Sequence, residues 1–232
     1  MASSGQGGAA AEPAAGSPRV LLIVRAPDTA PGRPELADLL GEERYRRLER
    51  LLLTRALTWA ADVAPGCVHV AYEPAGAHPS LRALVGDGAS VFPQTGDGAS
   101  RRVLRAVKRV FGEGGGPVLV TWPELPHWHS AHADGALDDL RDGCDLSVGP
   151  VFDGGFYLLA LARLVPSLFE PADGGWRSPE AMGRLLAAAR DDGLEAGLLR
   201  AERGLRRPAD VRAAVADPLL DPELRRLLES TR

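Results

Sequence analysis

The sequence predicts an α/β protein: a mostly parallel sheet flanked by helices, with a mixed, partly antiparallel portion in its second half. Three observations predict it. Arg19-Val-Leu-Leu-Ile-Val-Arg25 is an unbroken apolar run, as expected of a central parallel strand buried on both faces. Strand-like and helix-like segments then alternate through the first two-thirds of the chain, the order that builds a parallel sheet by crossover connections. Finally, Leu146-Ser-Val-Gly-Pro-Val-Phe-Asp153-Gly154-Gly155-Phe156-Tyr157-Leu-Leu-Ala-Leu161 reads as two buried strands joined by a turn with one carboxylate and two glycines, a hairpin pattern.

Taken in order, Met1 to Pro18 is rich in Ala, Gly, Ser and Pro and reads as a disordered tail. Residues 19–232 form one α/β domain. After the first strand comes a loop, Ala26 to Pro34, and then a helix over Gly41–Val63, with Leu48, Leu51, Leu52, Ala56 and Trp59 along one side. Cys67–Tyr72 is a strand, Ser80–Val85 a short helix and Ala89–Pro93 a strand. Ala99–Phe111 is a helix, Pro117–Thr121 a strand, and a helix lies near Gly135–Asp142. Beyond the hairpin, Ser178-Pro179-Glu180 supplies a cap, a first-turn proline and an acid for a helix to about Asp192. A strand over Glu195–Arg200 and helices from Pro208 and Pro222 end the chain.

Composition narrows the function classes. The net charge of −4 gives no electrostatic footprint for nucleic acid, and no apolar run approaches the roughly 20 residues that span a bilayer. Cys67 and Cys144 are isolated thiols, which fits a reducing compartment, so the expected location is cytoplasmic. Lys108 is the only lysine; a P-loop, which needs Gly-Lys-Ser/Thr, is therefore excluded.

Ligands of parallel sheets sit beyond the carboxyl ends of the strands, which gathers four loops on one rim. Arg25-Ala-Pro27 and Pro31-Gly32-Arg33 bring two guanidiniums whose forks suit phosphate oxygens; a solvated turn is the alternative. Gln94 at a strand end suits a base or sugar, or is a plain polar loop residue. Glu124 is an acid or metal ligand after the fourth strand. Asp153 can hold a metal ion, a ribose hydroxyl or its own backbone. His127, His129 and His132 crowd six residues, yet lack partner spacings for a metal, so a structural or surface role is expected.

The ordered series Arg25-Ala-Pro, Pro31-Gly-Arg33, Leu40-Gly-Glu-Glu43, Pro93-Gln94, Val148-Gly-Pro-Val-Phe-Asp153-Gly-Gly-Phe-Tyr157-Leu and Trp176-Arg-Ser-Pro-Glu180 resembles the DUF2064 family, over about Arg19 to Val215. The resemblance implies a Rossmann-like glycosyltransferase-A (nucleotide-diphospho-sugar transferase) fold. It further implies a glycosyltransferase or nucleotidyltransferase acting on a nucleotide or sugar nucleotide and a small-molecule acceptor. In that reading Asp153 is catalytic, Arg25, Pro27, Gly32, Arg33, Gln94, Gly154, Gly155 and Tyr157 contact substrate or nucleotide, and Asp153 with Glu124 holds Mg²⁺ or Mn²⁺. Three departures bear on it. No basic residue follows Arg33 before Leu40, Thr121 stands at a family aspartate, and Gly204 and Arg206 stand at two more. An arginine, Arg206 or Arg33, then becomes the candidate to replace the metal. The alternative is a fold kept without catalysis, acting as a ligand-binding or accessory protein with a protein partner.

Overall fold

The computed structural model describes residues 16–169, 176 and 178–229. The predicted tail therefore lies, for residues 1–15, outside the described residues. Among the described residues there is one seven-stranded sheet, in the order β3-β2-β1-β4-β6-β5-β7. Its strands are β1 (Arg19–Arg25), β2 (Val68–Glu73), β3 (Ser90–Pro93), β4 (Val118–Thr121), β5 (Leu146–Pro150), β6 (Phe156–Leu161) and β7 (Ala196–Leu198). β1 pairs in parallel with β2 and β4, β2 with β3, and β5 with β7. β6 alone among them runs antiparallel, to both β4 and β5. The predicted mixed sheet is thus a parallel sheet carrying one reversed strand, and the hairpin puts that strand inside the sheet, not at its edge.

Eight α-helices accompany it among the described residues: α1 (Pro34–Leu40), α2 (Glu42–Val63), α3 (His78–Val85), α4 (Ala99–Gly112), α5 (Ser130–Arg141), α6 (Ala181–Asp191), α7 (Pro208–Ala216) and α8 (Pro222–Glu229). Strand side chains alternate between faces. Val20, Leu22, Val24, Leu119, Leu158 and Ala160 pack on one face with Leu53, Ala56 and Trp59 of α2 and Ala133 of α5. Leu21, Ile23, Val118, Val120, Leu159 and Leu161 pack on the other with Val103 and Val107 of α4 and Leu185 of α6. A third core lies beside the sheet, where Leu36 and Leu40 of α1, Leu48 and Leu52 of α2, Val211 of α7 and Leu224 and Leu228 of α8 meet.

Four local expectations need correction. Pro34 to Leu40 is a helix, begun by a proline whose missing N–H costs nothing in the first turn. α5 begins at Ser130, before Gly135, because His129 N donates to His132 Nδ1 at 3.3 Å and fastens the first turn. α6 begins at Ala181, and Ser178 is no cap: its hydroxyl accepts from Arg184 Nη2 at 2.7 Å. The last strand shrinks to Ala196–Leu198, the length over which β5 offers a partner.

Candidate functional site

Because β1, β2, β3 and β4 are parallel, Arg25, Glu73, Pro93 and Thr121 end on the same rim. Two cavities open there. One, of about 210 Å³, is bounded by Arg25, Glu73, Gln94, Arg102, Trp122 and Trp176. Several of its polar groups hold the strand ends together, whereas Arg102 Nε and Trp176 Nε1 are buried without a hydrogen-bond partner among the described residues. Gln94 Nε2 donates to the carbonyls of Val24 (3.2 Å) and Ala71 (3.0 Å), clamping β1 against β2. Arg25 donates through Nε to Ala30 O (3.0 Å) and through Nη1 to Glu73 (3.3 Å), and Arg102 takes the other Glu73 oxygen at 3.3 Å. Its aromatic wall is fixed by edge-on packing of Phe156 against Trp122 and Trp176.

The second cavity, about 400 Å³, is lined by Gly32, Arg33, Glu35, Asp153, Pro179 and Arg206 among others. At its base runs a chain of alternating charges. Glu49 Oε1 accepts from Arg33 Nη1 (3.0 Å) and from the Tyr45 hydroxyl (2.6 Å). Arg33 Nη2 donates to Glu124 Oε1 at 3.0 Å. The other Glu124 oxygen lies 3.2 Å from Arg206 Nε, and Arg206 Nη1 donates to Asp153 Oδ1 at 2.8 Å. These side chains are only 8–12% exposed, so each charge depends on its neighbours to offset desolvation. Burial alone would pull the Arg33 guanidinium down, but Glu124 and Glu49 outweigh it and hold its pKa above the usual value. Burial, then the bond to Glu49, pushes the Tyr45 phenol up to about 12.

The backbone explains why the chain closes. Leu205 N donates to Glu124 O at 2.8 Å, stitching the segment before α7 to the loop after β4. Asp210, buried in the first turn of α7, accepts from the N–H groups of Arg206 (3.2 Å) and Arg207 (2.9 Å) and so fixes where Arg206 starts. Gly154 has φ of 92° and turns the β5–β6 connection. A Cβ on it would collide with the carbonyl of Pro179, against which the turn sits. A Cβ on Gly155 would come within 2.9 Å of Arg206 Nη1, so that glycine leaves room for the guanidinium to reach Asp153.

The sequence-predicted residues thus separate into groups. Arg33, Gly32, Glu124, Asp153, Gly154, Gly155 and Arg206 come together around the second cavity, while Arg25 and Gln94 border the first. Pro27 is buried at the root of the first loop. Tyr157 is 2% exposed and packs edge-on to His132 and Trp128 in the core on the α2–α5 face, its hydroxyl donating weakly to Arg200 O at 3.4 Å. It therefore has no surface to offer a substrate in this arrangement. Glu49 and Trp122 carry no sequence reading, and Pro179 and Trp176 enter there only within the motif Trp176-Arg-Ser-Pro-Glu180, not as site residues. Glu49 is one of several acids in a charge-rich helix and no spacing marks it, whereas the scarcity of tryptophan is a usable signal.

The residues present do not fit a divalent cation. Asp153 and Glu124 are the acids expected to hold one, and the Arg206 guanidinium lies between them at hydrogen-bonding distance from both. Among the described residues no group of three or more His, Cys, Asp or Glu could hold a metal ion.

A family described as uncharacterized protein conserved in bacteria (DUF2064) matches residues 56–175. The chain belongs to this family. Comparison of this DUF2064 member with solved structures gives a "putative nucleotide-diphospho-sugar transferase" from Desulfovibrio desulfuricans G20. It is 22% identical, with a TM-score of 0.79, over 92% of this chain and 94% of the other. A cytidylyltransferase from Leptospira borgpetersenii is 15% identical over 92% and 93%, with a TM-score of 0.55. Glucosyl-3-phosphoglycerate synthase from Mycobacterium tuberculosis, solved with Mn²⁺, UDP and glucosyl-3-phosphoglycerate, is 14% identical over 85% and 75%, also with a TM-score of 0.55. No curated protein matches the chain in sequence. The DUF2064 member therefore has the nucleotide-diphospho-sugar transferase fold. No described helix is long and apolar enough to cross a membrane.

Proposed function

We propose that the protein binds a nucleotide or sugar nucleotide along this rim and passes its sugar or nucleotidyl group to a small-molecule acceptor without a resident metal ion. The observation that carries this reading is Arg206, whose guanidinium lies between Glu124 and Asp153. In transfer from a diphosphate donor, negative charge builds on the departing oxygen, and a fixed cation lowers that barrier. Arg206 supplies the cation. The acceptor hydroxyl, oriented by Asp153, forms the new bond to the transferred carbon or phosphorus. Its proton passes to that carboxylate and then to water, while the electron pair of the broken bond leaves on the donor oxygen facing Arg206. The base or sugar of the donor lies toward Trp122, Trp176 and Gln94, and Arg33 holds Glu124 in place.

A second reading has its own support. The chain from Glu49 to Asp153 satisfies its charges internally, which is what a ligand-binding protein without turnover would keep for stability.

Thermal shift of the full chain against nucleoside diphosphates and sugar nucleotides, with EDTA or with Mn²⁺, separates the readings, since a ligand that binds only the fold raises its Tm. A nucleotide-selective rise that EDTA leaves intact, with acceptor-dependent turnover, supports metal-free transfer. The same rise without turnover selects the second reading. A rise that requires Mn²⁺ overturns the role of Arg206, and no rise with any nucleotide overturns both.

A further inference from the structure

The largest cavity described lies away from that rim. It holds about 550 Å³ between α2, α5 and the segment Pro126–Ser130, and it shares no lining residue with either rim cavity. A volume in this range suits a small molecule. Its aromatic base is Trp59 and Trp128, with ring centroids 4.4 Å apart and planes tilted by 31°. The pair is held rigidly. Trp59 Nε1 donates to His129 O at 3.0 Å, and Trp128 stands edge-on to His132 and Tyr157.

The charges around this base are lopsided. Arg55, the cation of the lining, already donates to Pro126 O (3.3 Å) and to Asp221 (2.6 Å). The exposed carboxylates of Asp62 on α2 and Asp134 on α5 face the same cavity and have no cation as partner among the described residues. With Asp221, three aspartates line the cavity with one arginine and the imidazoles of His127 and His129, so carboxylates outnumber guanidiniums three to one. Tryptophan faces attract cations through the ring quadrupole, and two carboxylates supply the counter-charge.

We propose that this cavity is a binding site for an organic ammonium ion, with the cationic group against half-buried Trp128, which buried Trp59 backs from the core, and balanced by Asp62 and Asp134. The site is independent of the transfer chemistry at the rim.

Titration of the full chain with choline, followed by tryptophan fluorescence and calorimetry, tests it against the neutral isostere 3,3-dimethyl-1-butanol. Choline is expected to bind about tenfold or more tightly than the isostere. The variant with Asp62→Asn and Asp134→Asn should lose about tenfold in choline affinity at unchanged Tm, because both side chains are exposed and make no described ion pair. Trp128→Phe, which keeps an aromatic face, should retain part of the affinity. Equal binding of choline and the isostere would reduce the cavity to an apolar pocket and overturn the proposal. So would unchanged binding by the double variant, or absence of choline binding at about 10 mM, far beyond the Kd of a weak site.

Discussion

Removing the Arg206 guanidinium alters two carboxylates at once, because Glu124 and Asp153 both lean on it. Breaking a buried ion pair by deleting one partner leaves uncompensated charge and costs about 3 kcal/mol or more. Arg206→Ala should therefore lower the urea midpoint by that equivalent. The same variant brings two carboxylates to face a space the size of a guanidinium, an oxygen-donor pair suited to a hard divalent cation. Mn²⁺ should raise the Tm of Arg206→Ala and leave that of the native protein unchanged; an equal response in both would show that the guanidinium does not occupy the cation's place. The far end of the chain gives a pH prediction. Tyr45 is held neutral with its pKa raised from 10.0 to about 12, so its contribution to stability is complete below pH 10 and lost as pH rises through about 12. Spectrophotometric titration should show a late phenolate near pH 12 that disappears in Tyr45→Phe, with Tyr157, which burial and Glu202 push up further, ionising later still. At this scale the sequence exposes the residues but not how they pair. Asp153, Glu124, Arg33 and Arg206 were legible as chemistry-bearing residues, but their partners lie 91 and 53 positions away along the chain. No local pattern says that arginines would neutralise the acids.

The turn joining β5 to β6 was read from sequence as a hairpin with a carboxylate, and both are there, since Asp153 also accepts from Gly155 N at 3.3 Å. What could not be read is the close approach of the segment before α6. Gly154 O accepts from Met182 N at 3.0 Å, and the Pro179 carbonyl fills the space a side chain would need. Gly154→Val combines left-handed backbone strain with that collision and should cost about 3 kcal/mol, while Gly155→Ala should chiefly push the Arg206 guanidinium off Asp153. Denaturation of both variants beside Asp153→Asn would distinguish a turn defect from loss of the ion pair. Long periodic elements such as α2 are legible in the sequence; α1 is not, because a proline-rich loop precedes a seven-residue helix that buries just Leu36, Ala37 and Leu40. α8 shows a cap acting through charge. Asp221 accepts from the N–H groups of Glu223 (2.9 Å) and Leu224 (3.1 Å) and from Arg55, and the Arg55 bond leads in lowering its pKa. Its stabilisation is thus full above the ordinary aspartate pKa of 3.8 and fades as pH falls below it. Asp221→Ala should cost about 1 kcal/mol near neutrality, with less difference from the native protein in acid.

Across the whole molecule, the sheet is buried between helices on both faces, whereas α1, α7 and α8 are held mainly by the third core beside it. Regions with fewer buried partners open at lower free energy than central strands. Polar links that bind this helical unit to the sheet include Leu205 N on Glu124 O and the run of ion pairs through Arg33, Glu124 and Arg206. The rim cavity lined by Arg33, Asp153 and Arg206 therefore spans the seam between the stable part and the looser part. Hydrogen exchange on the native protein should place the amides of α7 and α8 in a unit that opens well below global unfolding, with β1 and β4 exchanging last. Leu224→Ala removes a fully buried side chain from that unit and should cost about 2–5 kcal/mol, appearing first as faster exchange in α7 and α8. A nucleotide held across the seam has to keep it shut, so saturating ligand should slow exchange in α7 and α8 more than in β1. Slowing confined to β1 and β3 would place the ligand in the smaller cavity by Gln94 alone. Uniform slowing would show that the sheet and the helical unit already open together.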